Sequence, residues 1–159
     1  MFIKRKLYNS LKNRKNNLSS KLLIIDGAIQ VGKTTLAKEF AKNEFKNYLF
    51  LDTEIEYKKL EKLCKNQEFT LGIFSTYLKN SFNVTINNED LLLIFDNVDS
   101  DSTLLVLGLY SRIKSLNLNF KIMALRKMMP LKNTWLKKDY PDVLSLRLNP
   151  LDFEEFLMA

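Results

Sequence analysis

"GAIQVGKTTL" (Gly27–Leu36) lies between an apolar run, "KLLIID" (Lys21–Asp26), and a stretch with apolar residues at helical spacing. Gly27, Gly32, Lys33 and Thr34 fit the pattern G-x-x-x-x-G-K-[ST]. Each residue type has a physical task. The glycines let the backbone turn tightly and point its N–H groups inward at a β-phosphate. Lys33 reaches β- and γ-phosphates as a point charge, and the Thr34 hydroxyl suits Mg²⁺. A helix starting there aims its positive dipole end at the same place. The expected phosphate-binding set is therefore Gly27, Ala28, Gln30, Val31, Gly32, Lys33, Thr34 and Thr35. By average residue usage a chance match in such a chain is on the order of one in a few hundred. The strand before it and the amphipathic helix after it are what the mechanism requires. The motif implies a nucleotide site.

Working outward, further apolar runs recur: "NYLFLD" (Asn47–Asp52), "LLLIFD" (Leu91–Asp96), "FKIMAL" (Phe120–Leu125) and "LSLRL" (Leu144–Leu148). With Lys21–Asp26 they make five strands, the first four continuous in the manner of strands covered on both faces. Helical spacing marks Thr34–Lys46, Glu54–Lys65 and Leu71–Phe82, and Asp101 or Ser102 would cap a helix over "TLLVLGLYSRIKSL". Strands alternating with helices predict an α/β fold: a P-loop three-layer sandwich with a mainly parallel sheet and helices on both faces. No Pro- or Gly-rich linker interrupts it, so residues 22–159 form one domain behind a basic N-terminal helix or arm, residues 1–21.

Asp96 closes the third strand, some sixty residues after the loop, where a carboxylate holds the Mg²⁺ shell. Thr34 and Asp96 are thus the expected metal contacts, and Lys33 and Asp96 the first catalytic candidates.

Composition removes other chemistries. The 159 residues include no histidine and one cysteine, Cys64, so zinc sites, Ser-His or Cys-His nucleophiles and an intramolecular disulfide are excluded. Cys64, on an apolar helix face, reads as a buried, inert thiol. Neither a leader nor a membrane span is visible, and a cytoplasmic protein is expected. The net charge of +7 resides in Lys4, Arg5, Lys6, Lys12, Arg14, Lys15 and Lys21, with 18 basic and 18 acidic residues balancing thereafter. Such an arm either contacts phosphates of nucleic acid or anionic lipid, or is a solvated helix face or flexible tail, the reading favoured.

With both motifs in place, the chain resembles prokaryotic P-loop ATPases of the AAA-like class. "IKRKLYNSL" resembles that family's basic lead-in helix, the stretch from "LLIIDGAIQVGKTT" to "NYLFLD" its first strand, loop, helix and second strand, and "LLLIFDNVD" its Walker-B strand. "LRLNPLDFEEFLMA" is similar to its closing segment, an apolar strand, Pro, a spacer and Phe-Glu-Glu-Phe. The resemblance implies a five-stranded parallel core with the loop strand at its centre, ATP and Mg²⁺ as ligands, and ATP hydrolysis.

Three departures bear on activity. Family members carry Glu after the Walker-B Asp, as the base for the attacking water; here that position is Asn97. An amide cannot accept a proton, so a general-base contribution of about 10²–10⁴ is lost unless another carboxylate substitutes. Asp99 is the candidate base, or else an N-cap, and Asn97 can still orient a water. After the fourth strand the family has a small polar turn sensing the γ-phosphate, whereas this chain has "ALRKMMP" (Ala124–Pro130). There Arg126 or Lys127 would contact phosphate, or the segment is a solvated basic loop, the reading favoured. Finally, the family continues past Phe-Glu-Glu-Phe, whereas Ala159 ends this chain three residues later. The expectation is an ATPase domain without the family's C-terminal domain, hydrolysing weakly. The alternative is a non-hydrolysing nucleotide switch or a decayed remnant. A protein partner is left open.

Overall fold

The computed structural model describes residues 5–18, 21–85, 91–116, 120–127 and 138–157. Helix α1 (Lys6–Arg14) and a short 3₁₀ turn (Lys15–Leu18) precede β1 (Leu22–Gly27). Then follow α2 (Lys33–Glu44), β2 (Asn47–Asp52), α3 (Thr53–Lys65), α4 (Leu71–Phe82), β3 (Leu91–Val98) and α5 (Ser100–Ser115). The described chain closes with β4 (Lys121–Lys127), β5 (Val143–Arg147) and α6 (Phe153–Leu157).

The five strands form one parallel sheet in the order β2-β3-β4-β1-β5. The P-loop strand β1 is therefore internal but not central; β4 holds the middle. Because β1 and β3 flank β4, the loop after β1 and the Walker-B end of β3 open on the same edge of the sheet, one strand apart.

Alternation along each strand divides the core into two layers. Leu23 and Ile25 of β1 face Leu36, Ala37 and Phe40 of α2 and Leu11 of α1. Leu22 and Ile24 face the other way, into a layer shared with Leu60 of α3, Phe74 and Leu78 of α4 and Val106 and Leu109 of α5. Helices thus cover both faces, the three-layer arrangement expected. Helices α3 and α5 approach closely: a Cβ at Gly108 would lie 2.7 Å from Cys64 Sγ, so the Cys64 side chain would have to shift to admit one. Cys64 is half-buried in that contact rather than fully enclosed.

Two sequence expectations fail for local reasons. Strand β2 is covered only in part: it is an edge strand with Asn47 and Tyr48 exposed, while Leu49 and Leu51 pack on one layer and Phe50 on the other. Helix α5 is capped by Asp99, not by Asp101 or Ser102, which fall inside its first turn. Asp99 accepts from Ser102 N at 2.8 Å while Ser102 Oγ accepts from Asp99 N at 2.8 Å, a capping box.

The N-terminal segment is not a free arm. Leu11 and Leu18 are fully buried against the sheet, and Lys12 and Lys15 pair with Glu44 of α2 at 3.6 and 3.5 Å. Lys6 pairs with Asp152 and Glu154. Met1–Lys4 lie outside the described residues. Among the described residues no helix is long and apolar enough to cross a membrane.

Candidate functional site

The loop leaves β1 at Gly27, where a Cβ would sit 2.6 Å from the Leu148 carbonyl oxygen; only glycine passes the end of β5. Gln30 (φ 66°) and Gly32 (φ 93°) take left-handed backbone, which curls the loop over the start of α2. Lys33 opens that helix, and its Nζ donates to the Gly27 and Ala28 carbonyls at 2.9 and 2.7 Å. Burial pulls the Lys33 pKa below the ordinary lysine value. Asp96 and Asp26 oppose that pull, and nearby Lys127 adds to it.

Thr34 Oγ1 donates to Asp96, 2.9 Å from Oδ2 and 3.2 Å from Oδ1, so the two expected metal contacts meet. The Asp96 backbone is fixed from β2's side by Thr53 Oγ1, which donates to its carbonyl at 2.8 Å. A hydroxyl and one carboxylate fit Mg²⁺, which keeps several waters and takes phosphate oxygens. Among the described residues no cluster of three or more His, Cys, Asp or Glu could hold a metal without such help.

Between Phe95 and Val98, β3 carries one residue more than β4 opposite it, a bulge at Asp96–Asn97. Asn97 sits at φ 58°, a left-handed conformation that asparagine tolerates better than most residues. Its N–H donates to Asp96 Oδ1 at 2.8 Å, and its Nδ2 donates to Asp52 Oδ2 at 2.7 Å. Asp52 was not singled out in the sequence; it ends β2 in register with Asp96 and also caps α3 through Oδ1. Asp99 is occupied as the cap of α5. The hydrogen bonds from Ser102's amide and hydroxyl hold its carboxyl below the ordinary aspartate range.

A cavity of about 250 Å³ is lined by Gln30, Gly32, Lys33, Thr34, Thr35, Asp96 and Asn97, with Ile29, Leu125 and Lys127. Gly27, Ala28 and Val31, also expected at the phosphates, do not line it; their carbonyls accept from Lys33 and Arg5. The favoured reading of "ALRKMMP" as a solvated loop does not hold for its described residues. Arg126 is 1% exposed. Its Nε and Nη2 grip the two Asp26 oxygens at 2.6 and 3.0 Å, and Ser145 Oγ donates to Oδ2 at 2.7 Å. It braces the foot of the loop and does not reach the cavity. Lys127 does line the cavity, and it pairs with Glu54 of α3. Met128–Pro130 lie outside the described residues.

The family model described as an AAA domain matches residues 19–157. The chain belongs to the AAA domain family. Among solved structures, this AAA domain is similar to a chain from the structure of Drosophila ORC bound to DNA. The TM-score is 0.57 and the identity 19%, over 92% of this chain and 43% of that one. That likeness concerns the fold, and the chain spans less than half of its neighbour's length. No curated protein matches the sequence. The chain is an ATPase-like P-loop domain.

Proposed function

We propose that this AAA domain binds ATP with Mg²⁺ in the cavity at the head of α2 and hydrolyses it slowly. The observation that carries the reading is the Thr34–Asp96 contact at 2.9 Å beside the Lys33 ammonium. Three groups with the right chemistry for a metal–phosphate pair converge on one cavity, two from the head of α2 and one from β3. Gly32 and the following helix offer N–H groups to the phosphates, Lys33 supplies positive charge, and Thr34 with Asp96 would hold Mg²⁺. Mg²⁺, when bound, neutralises the charge that develops on the transferred phosphate. Slow turnover follows from Asn97, whose amide orients a water but takes no proton.

The same residue favours a second reading, a nucleotide-binding switch that does not turn over. The two separate on one comparison, ATP hydrolysis by the chain and by Lys33→Ala. The first test is equilibrium binding of a fluorescent ATP analogue with Mg²⁺. Loss of a charged hydrogen-bond donor is expected to weaken binding by roughly ten- to a hundredfold in Lys33→Ala. Equal affinity in the variant would defeat both readings. The ORC neighbour is bound to DNA, but here four of the described N-terminal cations, Arg5, Lys6, Lys12 and Lys15, are paired with carboxylates of the same chain, which does not support a nucleic-acid arm.

A further inference from the structure

Arg5 lies before the residues that the family model covers, and its guanidinium packs behind the phosphate loop. It is 7% exposed. Nη1 donates to the Val31 carbonyl at 2.9 Å and Nη2 to the Asn149 carbonyl at 2.5 Å, while Nε stands 3.2 Å from Glu155 Oε2. A Cβ built on Gly32 would be 3.7 Å from Nη1, so the guanidinium is against the loop itself.

The Val31 carbonyl belongs to the peptide unit that carries the Gly32 N–H. In a planar trans peptide those two bonds point in opposite directions. Drawing the Val31 oxygen back toward Arg5 therefore turns the Gly32 N–H forward, to the side of the cavity that Gly32 lines. Gln30 and Gly32, left-handed on either side of Val31, form the segment whose peptide planes most need an external hold.

Glu155 supplies that hold from the other end of the chain. It is 5% exposed, and its Oε1 accepts from the Lys6 N–H at 2.8 Å, so it caps α1, whose own N-cap side chain makes no capping bond. Oε2 faces Arg5 and accepts from the Asp152 N–H at 3.3 Å. One carboxylate thus seats the first turn of α1 and neutralises the guanidinium behind the loop.

We propose that Arg5, held by Glu155, is a positioning residue that sets the Gly32 N–H toward the anion in the phosphate loop. The proposal rests on the nucleotide reading for one point only, the identity of that anion.

The test is amide hydrogen exchange of the full chain without nucleotide, together with affinity for a fluorescent ATP analogue with Mg²⁺. Arg5→Met keeps the apolar stem and removes the fork; Arg5→Lys keeps the charge without the fork. Exchange across Val31–Lys33 is expected to rise at least roughly tenfold in both, with β3 and β4 amides unchanged, and affinity to fall roughly tenfold. Glu155→Gln is expected to act in the same direction, more weakly. A merely structural Arg5 would speed exchange throughout the domain and leave the affinity of the folded protein alone, and that result overturns the proposal. So does faster loop exchange with unchanged affinity, or an Arg5→Lys that behaves as wild type. Should Arg5→Met fail to fold, Arg5→Lys and Glu155→Gln carry the same decision. Loop exchange that responds to Arg5 in a wild-type chain binding no analogue would defeat the nucleotide reading and leave the loop coupling standing.

Discussion

The Asn97 side chain donates its amide to Asp52 Oδ2 at 2.7 Å, joining the ends of β3 and β2 beside the cavity. With the NH₂ end spent on a carboxylate, the carbonyl end is what Asn97 offers elsewhere, an acceptor that orients water without deprotonating it. Restoring a glutamate at 97 is then more than adding a base. A carboxylate there would face Asp52 at hydrogen-bond distance, where like charges disfavour ionisation. It would also sit at a left-handed φ that costs a non-glycine residue roughly 1–2 kcal/mol. Asn97→Glu alone is expected to raise ATP turnover less than about threefold, whereas Asp52→Asn with Asn97→Glu recovers at least tenfold of the roughly 10²–10⁴ a general base supplies. Equal turnover in the single and double variants would show that Asp52 does not govern position 97.

Lys127 and Lys33 place two ammonium groups around one cavity, close enough for the first to depress the second's pKa. Two like charges converge stably where an anion lies between them. The Glu54 partner of Lys127 is 56% exposed on its side chain, and such a rim pair is worth about 0–1 kcal/mol, little competition for a triphosphate. Lys127→Met is expected to weaken ATP binding several-fold and ADP binding hardly at all. Titration of both nucleotides into the variant checks this; an equal loss for each would place Lys127 away from the γ-phosphate.

How far the sequence went follows from what kind of residue carried each feature. The loop and the aspartate near the end of β3 were legible as a pattern because their spacing is local and their chemistry fixes residue type, and the fold brings Thr34 and Asp96 within hydrogen-bond distance. The strands were legible as apolar runs, but the edge position of β2 was not, since an edge is defined by pairing and not by composition. Asp99 offered two readings, and the capping box with Ser102 occupies it as a cap. Arg126 looked solvated because its partner, Asp26, is a hundred positions away in sequence. Arg5 and Glu155 were hidden for the same reason: each is an ordinary charged residue until the two ends of the chain come together.

The Asp26–Arg126 pair should behave as a buried unit. Asp26→Asn leaves a guanidinium that is 1% exposed without its carboxylate, a change that costs about 3–5 kcal/mol in buried pairs. Asp26→Asn with Arg126→Met removes the charge along with its counter-ion and is expected to recover most of that loss. Urea midpoints at constant slope measure it. A double variant no more stable than Asp26→Asn would mean that Arg126 contributes through packing of its stem, not through the ion pair.

Acid should loosen the molecule at two identified carboxylates. Burial by itself pushes the Glu155 carboxyl up, but hydrogen bonds from the Lys6 and Asp152 amides, with the positive charge of the Arg5 guanidinium beside it, hold it below the ordinary glutamate value. The Ser102 amide and hydroxyl do the same for Asp99. When the folded pKa lies below the unfolded one, the unfolded chain binds more protons in acid. The stabilisation is then complete above the ordinary carboxyl range and is lost as pH falls through the folded pKa. The melting temperature is accordingly expected to drop between about pH 5 and about pH 3. Asp99→Asn keeps a competent cap, so it should cost less than about 1 kcal/mol at neutral pH while flattening the acid slope. Glu155→Gln should lower the neutral-pH melting temperature as well, because it leaves Arg5 buried without a counter-charge. Circular dichroism melts across that range decide the matter: parallel pH profiles for wild type and both variants would assign the acid sensitivity to other carboxylates.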